Sequence, residues 1–423
     1  MKLCVDVPNE ITPAMNRRNG RIFLLSWQLQ FLGAPVIFVG VVQAALCDKL
    51  GAGATIANLP TSAFLLGSIA PFFLAWRLPL RYESSVIVVS NAVSAITMAL
   101  VGAVLVFPFG NSTRIAFVVG QGLLCGILSS ASGIYMFQCL GRGTTAAGRT
   151  KTLKWTYTSG PLLAVAGSLA AQFILNRGFR SIPYPYDFAL LYFIGVPCLA
   201  GVAWLSAKYH LLPVEEKVQQ SFFDYVGKSV RAENQPRTLA LLWIGYFVWF
   251  CVLDAMPNIS LYTKMAVGRD PKDLSGAIMA LRFGFKALAG LGFGALALRR
   301  GIRAPIVASA VLFIGSLVWA CAVPGYLYLL SFGLIGAAEL GAAYFLNYVI
   351  EASPPANGAR NLSLLQLAVP ASSLAPVLYG MATERYGFRA SFVLGMVPAL
   401  IGFGIVMMLP SKIVPTPEAL TPA

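Results

Sequence analysis

The chain has 423 residues, 57% of them hydrophobic and only 11% charged, with a net charge of +15 and a mean hydropathy of +0.73. A soluble domain is about 45–50% apolar and about 25% charged, so a soluble enzyme, a disordered chain and a coiled coil are excluded and an integral membrane protein remains. At about 20 apolar residues per crossing, the chain has room for roughly a dozen helices.

Residues 1–21 are polar, carry Arg17, Arg18 and Arg21, and read as an N-terminal tail. The apolar segment that follows is too long for a signal-peptide core and reads as an uncleaved first helix. Hydropathy predicts spans at 22–47, 56–76, 84–107, 115–140, 152–176 and 187–208. A long polar stretch at 209–237 reads as a linker. Six more spans follow at 238–262, 273–297, 305–322, 326–350, 362–382 and 390–409, and then a tail at 410–423. The predicted fold class is thus an all-α membrane protein, twelve transmembrane helices in two pseudo-symmetric six-helix bundles at 22–208 and 238–409.

Orientation follows from the basic residues, which collect on the cytoplasmic side of short loops. With the N-terminus inside, twenty of the 31 Lys and Arg fall on the cytoplasmic side and nine on the other, while Arg282 and Lys286 lie inside a span. Both termini are therefore expected in the cytoplasm of a multi-pass protein of the cell membrane, the inner membrane if the source is bacterial. The same count explains the basic charge without a nucleic acid. The seven cysteines are scattered with no C-x-x-C, and the single histidine, His210, reads as a loop residue. Neither a disulfide framework nor a metal site is expected, and no cofactor. H-E-x-x-H, G-x-S-x-G and phosphate-cradling glycine loops are missing, so an enzyme is not expected.

The two halves share short motifs. Leu74-Ala75-Trp76-Arg77-Leu78-Pro79-Leu80-Arg81 follows span two, and Gly294-Ala295-Leu296-Ala297-Leu298-Arg299-Arg300-Gly301-Ile302-Arg303 follows span eight. The common frame is L-A-x-R-x-x-x-R. Gly148-Arg149 after span four is echoed by Gly358-Ala359-Arg360 after span ten. Such repeats characterise secondary transporters.

In these residues the sequence resembles the major facilitator superfamily, whose signature in the loop after span two is G-x-L-A-D-R-x-G-R-R. The second copy matches at Gly294, Leu296, Ala297, Arg299, Gly301 and Arg303, the first at Leu74, Ala75, Arg77 and Arg81. Trp76 and Leu298 replace the acidic residue that helps lock the cytoplasmic gate in the family. Pro354–Arg360 and Glu384–Arg389 add to the likeness. The resemblance implies a twelve-helix transporter and a gating role for Arg77, Arg81, Gly294, Arg299, Gly301 and Arg303. Gly160-Pro161 starts the G-P-x-x-G-G pattern of proton antiporters, but Ala164 and Val165 replace its later glycines. The arginine that antiporters of the family often carry inside span four is also missing, since Arg114 lies before that span, and a plain helix kink at Pro161 is the preferred reading.

Polar residues are segregated. Spans six, nine and twelve carry no Asn, Gln or charge between 188–207, 305–322 and 390–409, and span three has only Asn91. Helices so uniform can face lipid. The polar side chains, among them Gln28, Gln138, Asn258 and Gln366, fall on the other spans, which would line a cavity.

Asp254, Arg282, Lys286 and Glu339 lie within spans. A charge at the bilayer centre costs about 2.5–3.5 kcal/mol on insertion scales, and such residues mark functional sites. Arg282 and Lys286 project from one helical face and repel each other, so they need an anion. Counting helical rise puts Asp254 level with Arg282, and Glu339 level with Lys286. The four form either a static neutral network or a proton-exchanging site. In the second case Asp254 and Glu339 carry protons, and Arg282 and Lys286 bind substrate with Gln28, Gln138, Tyr157, Asn258 and Gln366. The expected function is a monomeric secondary transporter in the lipid bilayer that moves a small polar organic solute, an anion by preference, by alternating access in symport with protons. The alternatives are a proton-coupled drug or metabolite exporter and a solute sensor without net transport.

Overall fold

The computed structural model describes residues 10–37, 41–52, 54–78, 80–175, 182–213, 221, 236–253, 255–269, 274–354, 357–372 and 375–411. Its regular structure is helical throughout. In the first half the helices are α1 (Pro13–Leu32), α2 (Ala34–Ile37), α3 (Val41–Lys49), α4 (Ala54–Gly67), α5 (Ala70–Arg77), α6 (Glu83–Val106), α7 (Asn111–Gly143), α8 (Ala146–Leu175) and α9 (Tyr186–Ser206). In the second they are α10 (Pro236–Leu253), α11 (Met256–Val267), α12 (Ser275–Arg300), α13 (Arg303–Ala322), α14 (Leu330–Ala338) and α15 (Gly341–Ala352). The last four are α16 (Gly358–Gln366), α17 (Ala368–Ser372), α18 (Ala375–Tyr386) and α19 (Phe388–Met408).

Eight helices among the described residues are long and apolar enough to cross a membrane, and Ala63–Arg77 and Arg237–Leu253 are shorter apolar ones. The other four of the twelve predicted spans, one, two, seven and eleven, are interrupted, whereas span ten (Gly325–Ala352) is long enough to be counted although it too turns part-way. Span one turns at Gly33, span two at Ser68 and Ile69, span seven at Ala255, span ten at Glu339 and Leu340, and span eleven at Leu367. Proline accounts for several of these turns, since it lacks the N–H that a helix interior needs. Pro71 and Pro257 each sit in the first turn of the helix that resumes. The uniform spans three, six, nine and twelve form the unbroken helices α6, α9, α13 and α19. Their outer faces expose Val89, Ile96, Trp204, Val311, Val393 and Leu400, a surface suited to acyl chains.

The chain divides into two compact units. The first comprises 1–152 and 163–219, the second 153–162 and 220–423. In the first, α6 packs on α7 and α9, and α4 on α7. Side chains at Gly122 and Gly126 of α7 would collide with the backbone of Pro60 and Phe64. Small residues at these positions let α4 and α7 touch backbone to backbone, the usual way of packing helices where lipid removes the hydrophobic drive. In the second unit, α12 packs on α14, α13 on α14, and both α10 and α13 on α19. The predicted linker 209–237 falls mostly outside the described residues.

Candidate functional site

The second unit contains a three-membered ion cluster. Arg282 and Lys286 lie four residues apart on α12, and both reach Glu339 at the junction of α14 and α15. Arg282 Nη2 is 2.5 Å from Glu339 Oε1, and its Nε donates to the same oxygen at 2.7 Å. Lys286 Nζ pairs with the other oxygen, Oε2. One carboxylate thus separates two cations that would otherwise repel. The Glu339 side chain is 7% exposed, against 25% for Arg282 and 14% for Lys286. The cations therefore present an open edge that the carboxylate does not.

Helix packing brings these groups together. Gly336 lies against the backbone of Arg282 and Gly333 against the ring of Phe285, positions where a Cβ has no room. The two glycines let α14 cross α12 closely, one turn before Glu339. The helix then opens. Glu339 N still bonds Ile335 O at 2.8 Å, but Ala342 N turns to Glu339 O at 3.4 Å instead of Ala338 O. The released Ala338 carbonyl accepts a hydrogen bond of 2.5 Å from Ser309 Oγ on α13.

Depth along the sequence sets Glu339 level with Lys286, and the structure pairs them; Glu339 also takes Arg282, which depth sets level with Asp254. An arginine side chain covers more than one helical turn, so depth along the axis does not choose its partner. Asp254 lies outside the described residues. Asn258, buried on α11, donates to Thr383 Oγ1 of α18 at 3.0 Å and does not join the cluster. Gln366 is half-buried at the end of α16. Tyr157 is buried on α8, and its backbone abuts Gly290, one turn after Lys286 on α12.

Gln28 and Gln138 belong to the first unit. Gln28 is half-buried on α1. Gln138 is buried on α7 beside Glu83, part of a charged cluster that the sequence did not reveal. Arg142, assigned to a loop by hydropathy, ends α7 and is buried against Glu83 at the start of α6, Nη1 to Oε2 at 2.5 Å. Its Nη2 also donates to the Leu212 carbonyl. Asn19 Nδ2 donates to Gly143 O at 2.9 Å and to His210 O at 2.5 Å, and its Oδ1 accepts from His210 N at 3.0 Å. Arg18 Nε donates to Lys208 O at 3.0 Å. Residues 208–212 are thereby held by three side chains, and burial pushes the phenol of Tyr209 well up from its ordinary value. An acidic residue opening a helix was the one available signal, since a carboxylate is favoured there.

No family model matches the sequence. Solved structures, however, superpose over nearly the whole chain. The human organic anion transporter MFSD10 (TETRAN) matches with a TM-score of 0.72 at 13% identity, covering 93% of this chain and all of its own. A bacterial homologue of the iron transporter ferroportin gives 0.70 at 15%, covering 93% of this chain and 99% of that one. The E. coli fucose:proton symporter FucP gives 0.70 at 12%, covering 95% and 98%. The chain has the major facilitator superfamily fold.

Within the superfamily fold the loop-motif residues have identifiable settings. Arg77 and Arg81 are exposed, and the guanidinium of Arg81 stacks on Tyr82, 5.0 Å from the ring centre. Gly294 is buried under the Lys154 side chain, and Arg299 is exposed. Gly301 has φ +82°, a backbone region glycine enters freely. Arg303 Nε donates to Val406 O at 3.2 Å and Nη2 to Met407 O at 2.5 Å. It thereby adds to the capping of the last carbonyls of α19, where Val406 O also accepts Leu409 N at 3.2 Å.

Proposed function

We propose that the protein is a secondary transporter that exchanges a proton at Glu339 and uses Arg282 and Lys286 to hold an anionic group of a small polar organic solute. The observation that carries this reading is the buried Glu339 carboxylate bridging two cations at a break in a membrane-spanning helix. In the ion-paired state the cations are satisfied by protein. Protonation of Glu339 removes their counter-charge and favours a solute anion in its place. Proton and solute are then linked by ordinary charge pairing, and the linkage is reciprocal. The open edge of Arg282 suits a carboxylate, which matches a guanidinium in bidentate fashion. Proteins that share the fold include an organic anion transporter and a proton symporter, which agrees with both halves of the reading. Asp254 is a second proton carrier in this scheme, Gln28, Gln138, Tyr157, Asn258 and Gln366 contribute polar contacts, and the motif residues Arg77, Arg81, Gly294, Arg299, Gly301 and Arg303 serve gating. The repeats 22–208 and 238–409, joined by 209–237, alternate access from a membrane with both termini in the cytoplasm.

The test is purified protein in liposomes with an imposed pH gradient. Uptake is measured for a panel of small carboxylates, neutral sugars and lipophilic cations. Gradient-driven carboxylate uptake, lost in Glu339→Gln and in Asp254→Asn, is the expected result. Expulsion of lipophilic cations would instead identify an exporter, and binding without flux a sensor. Intact carboxylate transport after all four charges are neutralised would overturn the proposal.

A further inference from the structure

Serine and threonine in the interior of a helix usually turn their hydroxyl back onto the preceding turn of the same helix. This chain follows that habit repeatedly. Thr150, Thr152, Thr158, Ser159 and Ser363 each donate to the carbonyl four residues before, and Ser316 to the one three before. Ser309 does not. It is fully buried on α13, and its hydroxyl crosses to a different helix to meet Ala338 O at 2.5 Å. Its oxygen in turn accepts the indole N–H of Trp249 on α10 at 3.1 Å. The indole is fixed by rings on three sides. Tyr246 stacks at 6.0 Å, Phe250 lies edge-on at 4.9 Å and Phe313 edge-on at 5.3 Å.

The carbonyl that Ser309 takes is the one that an unbroken helix would give to Ala342. Buried backbone carbonyls are almost always paired, so Ser309 offers this one an alternative to helix closure. Gly341 makes the approach possible, because a Cβ there would meet the Ser309 side chain and sit 2.9 Å from Trp249 Nε1. The break needs no proline, and residues 330–352 contain none.

We propose that Ser309, aimed by Trp249, is a positioning residue that holds the helix open at Ala338–Glu339 and so sets the Glu339 carboxylate on Arg282 and Lys286. Closing the break would restore the regular helical step between α14 and α15 and rotate Glu339 relative to α12. The weight of this arrangement for transport rests on the reading of Glu339 as the coupling group; the geometric claim itself does not.

The experiment is infrared difference spectroscopy of the full chain in lipid nanodiscs at one fixed pH, with the Glu339 carboxylate band assigned as the one lost in Glu339→Gln. Ser309→Ala is expected to displace and broaden that band, Ser309→Thr to restore its native position, and Trp249→Phe to fall between. A Ser309→Ala band that superimposes on the wild type would overturn the proposal. A thermal double-mutant cycle between Ser309→Ala and Glu339→Gln is an independent check. A coupling, as expected for groups acting on one another, supports positioning, and strict additivity overturns it. Proton-driven uptake that persists in Glu339→Gln would remove the coupling role of Glu339, while the band and the cycle still decide the role of Ser309.

Discussion

Arg142 and Glu83, 59 residues apart in sequence, meet as a buried ion pair at 2.5 Å, and the same guanidinium binds the backbone of Leu212. Removing one partner of a buried pair costs about 3–5 kcal/mol, because the other charge stays buried, whereas replacing both by apolar groups is far milder. Glu83→Gln is therefore expected to lower the thermal unfolding midpoint in detergent more than the double variant Glu83→Leu/Arg142→Met. The reverse order would show that the pair carries no net charge penalty.

Asn19 is the other anchor of this region. Asn19→Ala removes two donated bonds and one accepted bond, leaves buried groups unpaired and should cost about 1–3 kcal/mol. The effect is local enough to read directly. The amide of His210, which donates to Asn19 Oδ1 at 3.0 Å, should exchange its hydrogen at least tenfold faster in Asn19→Ala. Unchanged exchange at that amide would contradict the arrangement.

The charge cluster makes a prediction about rank order. Lys286→Gln leaves the Arg282–Glu339 pair intact, so the protein should remain folded with a modest loss. Glu339→Gln leaves two like charges four residues apart on α12 without their bridging anion, and should cost about 3–5 kcal/mol. Thermal midpoints should therefore fall in the order wild type, Lys286→Gln, Glu339→Gln. Equal stability of the two variants would mean that the bridging role of Glu339 is wrong.

Glycine contacts separate close packing from mere flexibility. A methyl at Gly336 collides with the backbone of Arg282, while one at Gly315 of α13 meets nothing within 4 Å. Gly336→Ala should cost about 1–3 kcal/mol by overpacking and spread α12 from α14. Gly315→Ala should be neutral or raise stability by about 0.4–1 kcal/mol through the unfolded state. Comparing their melting temperatures checks both.

Hydropathy is enough to define the class of the protein and most of its helices, because a membrane demands long apolar segments and a self-satisfied backbone. The uniform spans 84–107, 187–208, 305–322 and 390–409 form unbroken helices with apolar outer faces for this reason. The rarity of charge in such segments also makes Arg282, Lys286 and Glu339 stand out in the bare sequence. Partner choice is only partly legible there. Depth matches Glu339 to Lys286, and the two are paired, but it does not announce that Glu339 also takes Arg282, because long side chains reach across turns.

What the sequence alone determined about this protein is its solvent and the list of ionisable groups placed in it, since transfer cost depends on residue type and little else. What only the tertiary structure decided is how those groups are aimed. Glu83 gains its meaning when Arg142 is folded onto it. Ser309 gains its meaning when its hydroxyl is seen on Ala338 O. A hydrogen bond between distant helices depends on ångström-scale approach at glycines such as Gly336 and Gly341, and that approach is set by packing in three dimensions rather than by any pattern along the chain.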